Sequence, residues 1–306
     1  MRILFMGTPE FAVESLRRLT EDGHEICGVF TQPDKPKNRG HKLAFTPVKE
    51  YAITKELMVY QPASLRNEAA LEQVRALAPE LIVVAAYGKL LPEEILNVPP
   101  LGAVNVHSSL LPKYRGAAPI NWAVLNGETH TGVTIMYMAK ELDAGDIILQ
   151  KSTPIGETED AQALTARLAR LGAEALSEAV EALAAGTAAR TPQNHELHTY
   201  APMLGKELSP VDWTRTAHEI SCQVRGLLPW PCAVTDVISG EEMKLYGVLE
   251  TGEATAARPG VITAAGKQGI DIACGDGKVL RIMELQAKGG KRMSAAAYLL
   301  GHPIQR

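Results

Sequence analysis

Leu81-Ile82-Val83-Val84-Ala85-Ala86 and Ala103-Val104-Asn105-Val106-His107 are two short runs separated by a proline-bearing stretch. The first is apolar throughout, the pattern of a strand covered on both faces, and the second ends on two polar residues, Asn105 and His107. Toward the amino terminus, further apolar runs at 3–6, 24–31 and 59–60 alternate with helical patterns over 10–21, around 46–57 and over 67–76. Strands alternating with crossover helices predict an α/β domain with a parallel sheet, whose ligands sit outside the carboxyl ends of the strands. Asn105 and His107 fall at such an end. Gly7-Thr8-Pro9, the first strand-to-helix turn, lacks the later glycines of a dinucleotide fingerprint, so no nicotinamide cofactor is expected.

The polar residues at that end are chemically specific. Asn105-Val106-His107 opens the run Ser108-Ser109-Leu110-Leu111-Pro112-Lys113-Tyr114-Arg115-Gly116, and Asp143 follows in Leu142-Asp143-Ala144-Gly145-Asp146, after a strand-like Val133-Thr134-Ile135-Met136-Tyr137. An amide donor, an imidazole and a carboxylate are the groups needed to move an acyl unit between two nitrogens. The amide and an imidazole N–H can stabilise charge growing on the acyl oxygen, while the carboxylate holds the ring and relays a proton. An isolated Asn-x-His at a strand end is more often a turn with a half-buried histidine, and the surrounding run is what favours the catalytic reading.

Composition excludes several classes. The chain has 306 residues, enough for two domains, with 46% hydrophobic and 22% charged residues, an ordinary globular balance. A formal charge of −4 argues against a globally basic nucleic-acid binder and confines any such contact to a local patch. Residues 1–6 read as a first strand rather than a secretory signal, and the longest apolar stretch, 81–91, is too short to span a bilayer, so a cytoplasmic protein is expected. The four cysteines form no Cys-x-x-Cys pair and no histidine cluster supplements them, so neither a disulfide framework nor a bound metal is expected.

In the second half, residues 158–185 carry apolar side chains at spacings of three and four, which predicts one long helix stopped by Gly186. Residues 187–206 turn polar and proline-bearing and read as a linker. Beyond them, a helical 217–225 and five short strand-like runs punctuated by glycines predict a small barrel or sandwich. The domains expected are therefore 1–186, the linker 187–206, and 207–306. Between the second strand and its helix lies a long basic insertion, Gln32-Pro33-Asp34-Lys35-Pro36-Lys37-Asn38-Arg39-Gly40-His41-Lys42-Leu43, longer than α/β connections usually are.

Ser109-Leu110-Leu111-Pro112, Arg115-Gly116-Ala117-Ala118-Pro119 and Leu142-Asp143-x-Gly145-Asp146, in this order, resemble the folate-dependent formyltransferases, and among them those acting on methionyl-tRNA; the resemblance extends from Met1 to about Pro303. It implies a Rossmann-like formyltransferase domain with a parallel sheet, followed by an oligonucleotide-binding-type (OB-like) barrel. It implies 10-formyltetrahydrofolate as co-substrate, with no metal, and initiator methionyl-tRNA as acceptor, in a chain expected to be a monomer. A formyltransferase acting on an amino-sugar nucleotide would share the same trio and is the alternative.

The same resemblance assigns roles. Asn105, His107 and Asp143 are the catalytic residues it implies; Ser109, Leu110, Leu111 and Pro112 shape the folate site, with Tyr87 and Gly88 lining the cleft and Asp146 ending the turn against the pterin. In the basic insertion, Arg39 matches the family's key arginine near the acceptor end of the tRNA, and Lys35, Lys37 and Lys42 supply phosphate contacts. Lys206, Arg225, Lys244, Lys288, Lys291 and Arg292 are the tRNA-binding candidates of the carboxyl domain. Glu141 stands where relatives often carry a glycine.

Overall fold

The computed structural model describes residues 1–37 and 42–304. The chain forms two compact units, each assembled from separate stretches: one from 1–116, 131–153 and 165–200, the other from 117–130, 154–164 and 201 onward.

In the first unit, the order begins β1 (Arg2–Gly7), α1 (Glu10–Glu21), β2 (Glu25–Phe30), β3 (Lys35–Lys37), β4 (Lys42–Ala44), α2 (Pro47–Thr54), β5 (Val59–Tyr60) and α3 (Glu68–Leu77). It continues through β6 (Leu81–Ala85), α4 (Glu93–Leu96), β7 (Ala103–His107) and β8 (Arg115–Gly116), then, after α5 (Pro119–Leu125) of the second unit, through β9 (His130–Tyr137), β10 (Ile147–Pro154) and the long α6 (Ala161–Ala184). Seven strands form one sheet in the order β10-β9-β7-β6-β1-β2-β5. From β5 to β7 the pairs are parallel, and β9 then joins β7 antiparallel. The expected parallel α/β sheet is thus present, extended on the β7 side by strands outside the βαβ rhythm.

Local chemistry sets the helix boundaries. Thr46 accepts from Lys49 N at 3.2 Å to cap α2, whose first residue is Pro47, and Asn67 accepts from Ala70 N at 3.0 Å to cap α3. The pattern around 46–57 overran the end of α2, because Glu56 adopts a left-handed φ of 54° just past it. Leu4, Met6, Phe30, Ile82, Val84 and Tyr87 are buried in one core cluster, beside α3. On the other side of β7, Gly172 lets α6 approach closely: a Cβ there would sit 2.9 Å from Val106 Cγ1.

Two segments read as irregular are more ordered than that. Part of the basic insertion forms an antiparallel ribbon, β3 with β4, pairing Lys35 with Ala44 and Lys37 with Lys42. The stretch read as a linker is laid down on the first unit as far as Tyr200: Thr191 bridges to Ile147, Gln193 is buried, and the short strand β11 (Tyr200–Ala201) follows.

The second unit is built on α5 and α7 (Ala217–Gly226), joined by the Asn121 side chain donating to Gly226 O at 2.8 Å. Thr216 and Glu219 form a reciprocal capping box at the start of α7. Its strands are β12 (Ala233–Thr235), β13 (Met243–Ala254), β14 (Ile262–Gly266), β15 (Gly269–Ala273), β16 (Lys278–Ala287) and β17 (Met293–Ser294), followed by α8 (Ala295–Gly301). They pair antiparallel in the order β12-β13-β16-β15-β14, with β17 on β16. Among the described residues no ladder joins β14 back to β12, so the small barrel expected from the sequence is an antiparallel sheet in its pairing. Register shifts along β13 mark the bulges that bend such a sheet. Ile220, Val224, Leu245, Ile272, Leu280 and Ile282 fill its core.

Candidate active site

Residues two apart on a strand share a face, so β7 presents Asn105 and His107 on the same side. Opposite them, β9 supplies Met136, paired with Asn105, and Thr134, paired with His107. The Asn105 amide is half-buried and has no hydrogen-bond partner among the described residues, which leaves it available to a ligand.

His107 is 5% exposed, and its two nitrogens face different acceptors. Nε2 lies 2.9 Å from the Tyr114 carbonyl oxygen, and Nδ1 lies 3.7 Å from Asp143 Oδ2. The second distance exceeds a direct hydrogen bond and suits an ion pair or an interposed water. The other partner of Asp143 Oδ2 is the Gly116 N–H, at 2.8 Å. A buried ring beside a carboxylate oriented by a backbone donor is an arrangement that can hold and pass a proton.

The turn bearing Asp143 is tightly determined. Tyr137 N donates to Asp146 O at 2.9 Å across its base, and Asp143 holds a left-handed φ of 50°. Gly145 admits no side chain, because a Cβ would overlap the carbonyl oxygen of Tyr137. Gln193 completes the turn from the far end of the unit. Its Nε2 donates to Asp143 O at 2.9 Å and Gly145 O at 2.8 Å, while its Oε1 accepts from Arg115 Nη2 at 2.7 Å. Arg115 is itself buried and also reaches His195 Nδ1 at 3.2 Å. Arg115 was read only as part of its motif, with no role, and Gln193 not at all: no periodicity or motif marks a glutamine in a polar stretch as the partner of an arginine nearly eighty positions earlier.

The loop after β7 is built from within. Ser109 Oγ donates to Lys113 O at 2.6 Å, and Thr134 Oγ1 donates to Ser109 O at 2.6 Å while accepting from Leu111 N at 3.1 Å. Gln150 Nε2 donates to Leu111 O at 2.9 Å. Ser109 and Leu111 are therefore buried shapers of this loop, with Leu110 and Pro112 partly exposed. Tyr87 is buried and its hydroxyl has no partner among the described residues, and burial pushes the phenol up to about 12. Its carbonyl accepts from Thr8 Oγ1 and Gln32 Nε2, at 2.9 and 3.0 Å, beside Gly88 at a φ of 83°. Asp146 faces Arg190, at 3.3 Å.

A cavity of about 560 Å³ adjoins Asp143. Its apolar wall is Leu71, Leu91, Ile95, Met136 and Met138, and its rim carries Arg66, Glu93, Lys140 and Glu141. Of the residues expected around folate, Tyr87, Gly88, Ser109, Leu110, Leu111, Pro112 and Asp146 are not among those lining it. The signal that could have found the lining is two apolar stretches, Leu90-Leu91-Pro92 beyond the end of β6 and Met136-Tyr137-Met138 at the end of β9. Among the described residues no group of three His, Cys, Asp or Glu side chains is placed to hold a metal ion.

The basic candidates separate by environment. Lys35 is exposed on β3; Lys37 and Lys42 are paired on the ribbon, and Arg39 lies outside the described residues. Lys206, Lys244, Lys288 and Lys291 are exposed. Arg292 is exposed but engaged, with Nε donating to Glu284 at 3.0 Å and its guanidinium over the Tyr246 ring. Arg225 departs from its expectation as a tRNA contact. It is 9% exposed on the inner side of α7, where Nη1 donates to Glu159 O at 2.9 Å and Nη2 reaches Cys222 Sγ at 3.3 Å. No helix among the described residues is long and apolar enough to cross a membrane.

Comparison with known proteins agrees with this architecture. A methionyl-tRNA formyltransferase of Geobacter sulfurreducens is 48% identical over 305 residues, covering 100% of this chain and 95% of its own. One from Trichlorobacter lovleyi is 50% identical, covering 99% and 95%. Among solved structures, WlaRD, a sugar 3N-formyl transferase, superposes with a TM-score of 0.70 at 18% identity, covering 92% of this chain and 97% of that one. HypX from Aquifex aeolicus in complex with tetrahydrofolic acid gives 0.65 at 22% identity, covering 98% of this chain and 47% of that one. With the formyl transferase model matching residues 1–180 and the formyl transferase carboxyl-terminal domain model matching 203–303, the chain belongs to the formyl transferase family.

Proposed function

We infer that the chain transfers the formyl group of 10-formyltetrahydrofolate to the free α-amino group of initiator methionyl-tRNA. The observation that carries this reading is the grouping of Asn105, His107 and Asp143 beside an apolar cavity, in a chain about half identical to methionyl-tRNA formyltransferases from end to end. Sugar formyltransferases resemble it only at fold level, at 18% identity.

The cavity residues fit a folate. Leu71, Leu91, Ile95, Met136 and Met138 offer apolar contact to a flat ring system, and Asp143 lines the same cavity. As the amine attacks, charge accumulates on the formyl oxygen, where the uncommitted Asn105 amide can donate. His107 contributes through Nδ1, because Nε2 is committed to the Tyr114 carbonyl. When Nδ1 carries a proton it can donate to the same oxygen, and the Asp143 carboxylate balances the imidazolium. Asp143 takes the proton lost by the amine, directly or through one water, and the same proton passes to N10 of the folate as the N10–formyl bond breaks and tetrahydrofolate leaves. An α-amine titrates near or below about 8, so a neutral nucleophile is available at pH 7 without further activation. The exposed Lys35, with Lys37, Arg39 and Lys42, supports the tRNA side of the reading, as do the exposed Lys206, Lys244, Lys288 and Lys291.

The deciding experiment is formyl transfer from 10-formyltetrahydrofolate to methionylated initiator tRNA, run beside amino-sugar nucleotides. Transfer to the tRNA with saturable kinetics is expected. Transfer confined to the sugar nucleotides would replace this reading with the alternative.

A further inference from the structure

The Asp143 turn is held by a residue that touches neither His107 nor the cavity. Gln193 is 5% exposed and spends all of its hydrogen-bonding capacity locally. A guanidinium can only donate, so the Gln193 oxygen must face Arg115, whose Nε and Nη2 lie 3.2 and 2.7 Å away. That fixes the amide orientation, and both NH₂ hydrogens then point at carbonyls, those of Asp143 and Gly145. Arg115 closes the circuit through the chain itself, since the next residue, Gly116, gives its N–H to the Asp143 carboxylate at 2.8 Å. Backbone and side chain of Asp143 are thus tied to a single Arg115-Gly116/Gln193 unit, while Asp143 sits at a φ that a non-glycine residue adopts only when its surroundings enforce it.

We propose that Gln193 is a positioning residue for formyl transfer: by clamping the carbonyls of Asp143 and Gly145 it sets where the Asp143 carboxylate meets His107. This rests on the assignment of Asp143 to the proton-handling pair. Without the clamp, the turn can relax from its left-handed φ, and the 3.7 Å separation from His107 Nδ1 is no longer maintained.

The test is a kinetic cycle on the full chain. Gln193→Ala removes the clamp. Gln193→Glu keeps the size and the pairing with Arg115 but replaces the two donors with an acceptor-only group facing two carbonyls. Both are expected to lower kcat by about 10- to 100-fold, the scale of a misplaced catalytic group, with KM for folate and for tRNA nearly unchanged. In an Asp143→Ala background, Gln193→Ala should cost little more, because the group it positions is gone. Thermal unfolding of each variant separates a general loss of fold from a loss of positioning. If Asp143→Ala abolishes turnover while Gln193→Ala and Gln193→Glu retain wild-type kcat, the positioning role is overturned and the active-site assignment stands. If Gln193→Ala lowers kcat equally in both backgrounds, its effect does not pass through Asp143 and the proposal also fails. Wild-type turnover by Asp143→Ala would instead remove the assignment on which it rests.

Discussion

His107 Nε2 lies 2.9 Å from the carbonyl oxygen of Tyr114, and because a carbonyl only accepts, that nitrogen carries the proton. Nδ1 is then the nitrogen that faces Asp143, at 3.7 Å, so ring and carboxylate act as one unit.

Removing either member should consequently have the same effect. His107→Ala and Asp143→Ala are each expected to lose most of kcat while tRNA binding persists, and the double variant should be scarcely worse than either single one. Asn105→Ala should cost about 2.7–4 kcal/mol of transition-state stabilisation if its amide faces the developing oxyanion. Single-turnover rates for the three variants check this, and near wild-type rates would remove the trio from the chemistry.

Gly145→Ala is expected to damage the turn itself. Its Cβ would overlap the Tyr137 carbonyl, so relief requires the backbone to move, at a stability cost of about 1–3 kcal/mol and a loss of activity larger than that cost alone implies. Denaturant unfolding beside kcat measures the two separately.

Leu91→Trp is expected to narrow the cavity beside Asp143. KM for the folate should rise several-fold with KM for the tRNA unchanged, as steady-state kinetics with each substrate varied in turn would show. Equal changes in both would mean that the cavity does not serve the folate.

Lys35→Ala and Arg225→Ala should separate a surface charge from a structural one. Loss of the exposed Lys35 should reduce the slope of log affinity against log salt by about 0.7–0.9 if it neutralises one tRNA phosphate. Loss of the buried Arg225 strands its carbonyl partner and should lower stability by about 1–3 kcal/mol without altering that slope. Filter binding at several salt concentrations and thermal unfolding distinguish them.

The base of the ribbon should be acid-sensitive. The hydrogen bond from Lys49, aided by Gln61, holds the Asp34 carboxyl below the usual range. A group with a depressed folded pKa contributes stability above its unfolded value, near 3.9, and loses it as pH falls through the folded one. Asp34→Asn should therefore be less stable than wild type at pH 7, with the gap vanishing well below pH 4. A gap independent of pH would assign the effect to packing.

The parallel strands and their helices were legible because burial on both faces leaves apolar runs, and Asn105, His107 and Asp143 stood out as candidates because the motifs around them resemble the formyltransferases. β9 and β10 were harder: β9 was read only in part, and Gln150 and Lys151 break the apolar run of β10. The left-handed Glu56 that ends α2 left no mark in composition. Gln193 and the inward Arg225 were invisible for a common reason. A polar residue reads as solvent-facing unless its partner is known, and both partners are supplied by distant stretches of chain.

That dispersal has a consequence for synthesis. The first unit closes only with residues 165–200, after the chain has laid down two stretches belonging to the other unit. Gln193 emerges from the ribosome roughly fifty residues after Asp143, a delay of about 3–10 s at typical elongation rates. Until then the Asp143 turn must wait without its clamp, so a nascent chain stalled between the two positions would hold its catalytic side chains but should be unable to turn over.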